Sequence, residues 1–462
     1  MVHIKITKGL DIPITGKPEG PIQPIKLAGE ASTAGTPSQI ALDLTSFENI
    51  KFRLLVKIDD VVKIGQPLAE DRACGRMFVS PAGGVIKDII RGPKRVLESI
   101  IIQPSATEEY VHFSHIHPEN ASLTQLVQRF MEAGIFAKIR CRPFNLLAKP
   151  GKLPRSIFVK AVESAPFVPP AEMQVEGYEK EFQVGLSALD VLCEGPVHLV
   201  YRQGSPCRAF TEAQNVVKHT VEGPHPVANV SVHIQHIDRL LSPNDLIWTI
   251  TAHDVVCIGV LLSKGRIHIE RVISIAGPGI LPGKTGYFKT REGVPISHLI
   301  SGRIPKGLMR LVSGDPLMGK KVQATDFLGF NHYVFCVIPE NTSRELLHFF
   351  RLGSDKYSFS RAYLSGHLDN EDREYYFTTN QHGEHRAFID STLYDKVMPL
   401  DVSTMLLTKA VMAEDFELAE QLGLNEVDSE DFALPTFVCP SKMEMVDIIK
   451  KGLKQYAEDM LQ

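Results

Sequence analysis

Residues 122–134, SLTQLVQRFMEAG, divide the chain into two kinds of polypeptide. They set Leu123, Leu126, Val127, Phe130 and Met131 on one helical face, with Ser122 and Gln125 spaced as a capping box and Gly134 as the stop. Nothing before them has helical periodicity. Residues 51–58 are extended and apolar, Gly65, Pro67, Pro81, Gly83 and Gly84 punctuate, and residues 85–90 are apolar again. A module built of strands therefore precedes the first helix. Beyond it, residues 156–162, 197–201 and 230–234 read as strands, and 188–193 and 211–221 as helices. Strands alternating with helices predict a mainly parallel, doubly wound α/β sheet of the Rossmann-like kind.

From residue 255 the pattern returns to strands, with 255–262 and 267–275 flanking a Ser263-Lys264-Gly265 turn. The end is mixed as far as Tyr394 and then helical. A second capping box, Ser441 with Glu444, opens a helix carrying Val446, Ile449, Leu453, Tyr456 and Met460 on one face. At 462 residues the chain has room for three or four cores. The punctuation divides it into 1–105, 106–254, 255–330 and 331–462. No fixed repeat runs through it.

Fifty Lys and Arg against 54 Asp and Glu give a net charge of −4. No basic block is long enough to track a phosphate backbone, so nucleic acid is not an expected partner. The longest apolar run, residues 255–262, falls far short of the roughly 20 residues of a bilayer span. The first residues lack the apolar stretch of a secretory signal, so the cytoplasm is the expected compartment. The seven cysteines form no CxxC, which leaves zinc ribbons and Cys-ligated iron-sulfur clusters without their spacing.

Several motifs imitate chemistry. Gly314 to Lys320 has the form GxxxxGK, but Lys321 stands where a Mg²⁺-ligating hydroxyl is required and Pro316 stiffens the loop. Gly283-Lys284-Thr285 has the GKT, with Pro278 where the first Gly belongs. Neither leads into a helix whose N-terminus could receive an anion. His112, His115 and His117 lie in a loop or strand pattern, and His233/His236 and His382/His385 are HxxH pairs without HExxH. There is no GxSxG. No residue is assigned as catalytic or as a metal ligand.

Residues 61–68, VVKIGQPL, and 80–86, SPAGGVI, resemble the two halves of a biotinyl or lipoyl domain, a barrel-sandwich hybrid. Such carriers hold their modified lysine in the intervening hairpin; here no lysine occurs between Lys63 and Lys87. The fold is implied and the carrier chemistry is not. Residues 275–279, 294–299 and 312–319 resemble the soluble-ligand-binding β-grasp domain of the NADH-binding subunit of respiratory complex I and of the Rnf complex C subunit. With the opening KGLDIPI (8–14), MPLDVST (398–404) and TFVCP (436–440), the succession resembles the A-subunit family of the Na⁺-translocating NADH:quinone reductase over essentially the whole chain.

The flavin-bearing relatives carry a glycine-rich run after the first helix of the α/β domain, because only Gly lets backbone approach a pyrophosphate. Residues 135–150 contain no Gly, and Cys439 stands alone where those relatives cluster cysteines. The resemblance thus implies a peripheral subunit on the cytoplasmic face of the bacterial inner membrane, without flavin or iron-sulfur centre. FAD, FMN, riboflavin and Fe–S lie on partner subunits, especially membrane-embedded ones, and ubiquinone, reduced to ubiquinol with electrons from NADH, is the substrate it helps to bind. A purely structural scaffold and an independent flavin-dependent NADH dehydrogenase are the alternatives. For the quinone, Phe130, Gly134, Phe136, Lys138 and Arg140 are the expected residues: an apolar slot at the carboxyl edge of the sheet, rimmed by cationic donors.

Overall fold

The computed structural model describes the chain except for residues 26–36, 48–49, 241, 243, 344–345, 348–349, 371 and 461–462. The chain opens with two short strands, β1 (His3–Lys5) and β2 (Ile22–Pro24), that join neither sheet of the barrel expected over residues 1–105. Ile4 pairs in parallel with Val221 of the α/β domain, and Gln23 with Phe288 of the third domain. The N-terminus therefore covers the edges of two distant sheets, where unpaired backbone groups would otherwise be left.

The first module holds β3 (Ile40–Asp43), β4 (Phe52–Leu54), β5 (Val61–Val62), β6 (Pro67–Asp71), β7 (Met77–Val79), β8 (Gly84–Arg91) and β9 (Leu97–Pro104). They form a four-stranded sheet in the order β3-β9-β8-β5 and a three-stranded one in the order β4-β6-β7. Ile40, Leu42, Leu68, Phe78, Ile86, Ile100 and Ile102 fill the space between them. The hairpin that would carry a modified lysine is fastened inward instead. Arg76 Nη1 meets Asp71 at 2.9 Å, and Arg76 Nη2 donates to the Ala148 carbonyl at 2.7 Å.

Helix α1 (Leu123–Glu132) begins and ends as its sequence predicts. Ser122 Oγ accepts from Gln125 N–H, Gln125 Oε1 accepts from Ser122 N–H, and Gly134 is left-handed at φ 71°. There follow β10 (Arg140–Arg142), β11 (Leu146–Leu147), β12 (Ser156–Ala161), α2 (Ala171–Val175), α3 (Glu179–Val191), β13 (Val197–Arg202), α4 (Arg208–Thr211), β14 (Val217–Glu222), α5 (Val230–Ile237), β15 (Ile247–Thr251) and α6 (Ala252–Lys264). The sheet order is β1-β14-β13-β12-β15-β10-β11, parallel from β1 to β15, with antiparallel β10 and β11 closing the far edge. The order reverses between β12 and β15, the place where ligands bind in open α/β sheets.

Several expected elements are replaced here. Residues 255–262 are not a strand but the middle of α6, which is buried from Ala252 to Leu262. A run apolar on every side is a buried helix when it is long enough. The reason is its fit on α3: a Cβ at Gly259 would lie 1.7 Å from the Glu181 carbonyl oxygen, and one at Gly185 2.2 Å from that of Val255. Thr251 caps the helix and Gly265 ends it, so the expected hairpin turn is a helix terminus, and the expected boundary at 254/255 falls inside the helix. Residues 230–234 are likewise helical, in α5. Conversely, the helix expected over 211–221 shrinks to α4, and the β-branched run after it pairs as β14 between β13 and β1.

The third sheet comprises β16 (Glu270–Ala276), β17 (Gly286–Arg291), β18 (Met309–Ser313), β19 (Lys320–Val322) and β20 (Val334–Pro339), with helix α7 (Ile296–Ile300) between β17 and β18. Its order is β19-β18-β20-β16-β17-β2, with β16 and β20 parallel at the centre. The false phosphate loop is the turn from β18 to β19, where Asp315 Oδ1 accepts from the N–H groups of Leu317 and Met318. The last domain packs α8 (Thr404–Met412), α9 (Phe416–Gln421), α10 (Ala433–Val438) and α11 (Met445–Met460). Ser441 does not cap α11. Its hydroxyl donates to the Ala387 carbonyl, the helix starts at Met445, and Met460 is 45% exposed rather than on the buried face.

Candidate functional site

The turn at Gly134 carries the chain from α1 through Ile135, Phe136 and Ala137 into β10, past the carboxyl end of β15. Phe130 and Phe136 do not face an open slot. Both are fully buried, with ring centroids 6.1 Å apart and the Phe136 ring 5.8 Å from that of Trp248, so they pack helix against sheet. Arg140 lies on β10 opposite Thr249, and its guanidinium donates to the Asn145 carbonyl at 3.3 Å. Lys138 goes elsewhere, into a buried ionic cluster that the sequence did not announce.

Lys138 Nζ lies 3.3 Å from Glu292 Oε2 and 3.7 Å from Asp254 Oδ1, and 4.8 Å from the centre of the Phe330 ring. Arg271 Nη2 meets the same Glu292 oxygen at 3.0 Å, and the Thr251 hydroxyl donates to Asp254 Oδ2 at 2.7 Å. Burial alone would discharge Lys138, but Glu292, Cys257 and Asp254 outweigh it and hold the ammonium above its ordinary range. Against the same burial, Lys138 and Arg271 pull Glu292 below the usual carboxylate range. For Asp254 burial wins, and its pKa is raised despite Lys138, Thr251 and Arg271.

His253, Asp254 and Cys257 bring three possible metal ligands within 4.8 Å of one another on the first turns of α6. The chemistry does not suit a cation. Burial pushes the Cys257 thiol up to about 12, Lys138 stands beside Asp254, and the helix N-terminus is itself positive. The same burial holds His253 and His268 neutral, the latter at about 4. Lys138 and Glu292 are thus held charged, and Cys257 as the thiol.

A cleft opens beside the cluster where three domains meet. Phe78, Val79 and Pro81 come from the barrel, Gly134, Ile135, Lys138, Cys257 and Ile267 from the α/β domain, and Glu292 and Phe330 from the third, with His268 at the junction of the last two. Of the expected quinone residues, Gly134 and Lys138 border it; Phe130, Phe136 and Arg140 do not. It encloses about 30 Å³, enough for one or two waters. The crevice at the reversal of strand order is tighter still, about 10 Å³, filled by the Lys160–Glu163 pair at 2.8 Å, Gln174 and Tyr333. Gln174 exchanges two hydrogen bonds with the Val272 backbone, so the third domain is pinned over that crevice.

Asp254, Arg271 and Glu292 escaped the sequence reading because nothing in their spacing links them to Lys138. The signal present was a charge set in an apolar run, as in Arg271 within ERVISIA. Of the singled-out histidines, His115 Nδ1 bonds the distant Ser263 carbonyl, and His233 and His236, on helix α5 rather than on an extended segment, bond the nearby carbonyls of Val227 and Val232.

Residues 4–105 match the NqrA N-terminal barrel-sandwich hybrid domain, 121–267 the NqrA second alpha/beta domain, and 272–324 the NQRA C-terminal domain. The A subunit of the Na(+)-translocating NADH-quinone reductase of Chlamydia caviae is 34% identical, covering 99% of this chain and 97% of its own. That of Tolumonas auensis is 35% identical, covering 97% and 98%. Among solved structures, an NAD+-reducing [NiFe]-hydrogenase in the H2-reduced state aligns over 75% of this chain and 63% of its own, at 10% identity and a TM-score of 0.38, too slight a likeness to argue from. With three domain matches in chain order and relatives at this identity along nearly the whole length, the chain belongs to the NqrA family, the A subunits of the Na⁺-translocating NADH-quinone reductase.

Proposed function

We propose that the chain works as a peripheral subunit of a Na⁺-translocating NADH:ubiquinone reductase, on the cytoplasmic face of the membrane, and helps to bind the quinone at the cleft between its first three domains. The match to NqrA relatives over 99% of the chain carries the first part. The cleft supports the second: aromatic and aliphatic walls, with Lys138 as a charged donor among the lining residues beside Glu292 and His268. Flat rings with two carbonyl oxygens suit an apolar slot with a cationic donor. At about 30 Å³ the slot admits a ring only when the barrel wall at Phe78 and Pro81 moves away from Gly134 and Ile267. Flavin and iron-sulfur carriers are then the business of the partner subunits, and the filled crevice between β12 and β15 supports that division of labour. We read the α/β domain as Rossmann-like and the third sheet as a β-grasp.

The small volume favours a second reading, a scaffold without quinone contact. Lys138→Met combined with Glu292→Gln keeps the cluster's charge balance and separates the two. In the assembled complex, the quinone reading expects the KM for ubiquinone to rise at least tenfold, about 1.4 kcal/mol of lost binding. Unchanged quinone kinetics in a correctly assembled complex would leave the scaffold reading standing.

A further inference from the structure

The longest hairpin of the barrel has an apex unlike its other turns. Strands β8 and β9 pair as far as Arg91 opposite Leu97, leaving a turn over residues 92–96. Arg91, Lys94 and Arg95 are exposed there, Pro93 lies between them, and Val96 is 50% exposed. Lys94 and Arg95 are consecutive non-glycine residues in the left-handed region, at φ 54° and 61°. That conformation is costly for residues with a Cβ and is filled far more easily by Gly or Asn.

The turn is nonetheless held. Gly92 N–H donates to the Val96 carbonyl at 2.9 Å, Arg95 N–H to that of Gly92 at 3.1 Å, and Arg91 Nη1 to that of Arg95 at 3.3 Å. Strained backbone therefore presents three cations and an apolar side chain to solvent in one fixed shape. Just behind the apex, Ile90 and Glu98 line a cavity of about 460 Å³ that is also lined by Lys320 and Lys321 of β19. The carboxylate of Glu98 lies against Gly92, and Asp88 is exposed on β8. The three cations of the apex outnumber these two acids, so the apex carries an excess of positive charge on a chain of net charge −4.

We propose that the apex of the β8–β9 hairpin is a membrane-surface contact, in which Arg91, Lys94 and Arg95 meet anionic phospholipid headgroups while Pro93 and Val96 enter the interface. Charge complementarity and the apolar tip point to lipid, since interfacial elements combine cations with a small apolar insertion. Residues 92–96 line none of the cavities described above, whereas an acidic peptide needs a recessed grip. No helix among the described residues is long and apolar enough to cross a membrane. The inference rests on the family membership and is independent of the quinone cleft.

The test is cosedimentation of the full chain with vesicles of phosphatidylcholine alone or mixed with phosphatidylglycerol. The expected result is binding only to the anionic vesicles, lost between about 20 and about 200 mM salt as the charges are screened. Arg91→Gln with Lys94→Gln and Arg95→Gln should weaken it about 100-fold, about fivefold for each cation. Lys94→Arg with Arg95→Lys should retain it, and Val96→Ser should weaken it several-fold. These side chains are exposed, so Trp248 emission and melting should not change in any variant. Equal binding by the triple variant, or none by the parent chain, overturns the proposal. A triple variant that sediments normally but fails to assemble with the other subunits overturns it in favour of an acidic protein partner.

Discussion

Removing the Lys138 ammonium should unfold the junction of three domains in a pH-dependent way. Lys138→Met leaves the Glu292 and Asp254 carboxylates buried, with Arg271 at 3.0 Å from the first and the Thr251 hydroxyl at 2.7 Å from the second. Breaking a buried pair from one side costs about 3 to 5 kcal/mol, and the two surviving partners put this case near about 3 kcal/mol. Glu292 has a folded pKa below its ordinary value, so the stability it contributes is present above about pH 4.5 and is lost as pH falls through the folded value. In the variant Asp254 loses its ion-pair partner and Glu292 one of its two, so both titrate higher and take up protons before the parent's do. The gap between parent and variant should therefore be widest near pH 7 and narrow towards pH 5. The assay is urea unfolding followed by Trp248, the single tryptophan, which lies buried against Phe136. A loss below about 1 kcal/mol, or a gap that does not change with pH, would refute the reasoning. Adding Glu292→Gln should recover part of the loss, because removing both partners leaves fewer unpaired charges.

Gly259→Ala, which ordinarily stabilises a helix by about 1 kcal/mol, should here destabilise by at least about 2 kcal/mol, since its Cβ would lie 1.7 Å from the Glu181 carbonyl; thermal melting reads the sign. Arg76→Met should cost about 3 kcal/mol and loosen the barrel from residues 147–148, seen as faster amide exchange there. Burial holds His219 and His268 down to about 4 and His225 and His233 to about 3. For a depressed histidine the unfolded chain binds the proton first, so stability should fall as pH drops from about 6.5 towards 4, with proton uptake on unfolding measurable by titration. The Cys257 thiol should resist alkylation near pH 8 in the native chain and react only after denaturation, as mass spectrometry would report.

Local chemistry was legible wherever one stretch of chain contained both partners of an interaction. The α1 cap, its glycine stop and the lysine-free hairpin could be read directly, because cap, stop and turn are contacts within a few residues. Periodicity failed where burial is two-sided. Residues 255–262 are apolar all round, so their pattern reads as a strand although they are the middle of a helix packed through Gly259 on α3. The strand at 217–222 depended on neighbours more than 10 residues away on one side and at the N-terminus on the other. The site divided in the same way. Lys138 was visible as a cation near a helix end, but its partners Asp254, Arg271 and Glu292 lie 116 to 154 positions further on and converge only when the third domain seats on the α/β sheet. The order of modules, the glycine-free stretch 135–150 and the absence of a CxxC follow from the linear chain, since they depend on residue type at short range. Which side chains are core and which are site had to wait for the folded molecule. Phe136 became packing and Lys138 a buried charge because each is defined by groups that arrive from other parts of the chain.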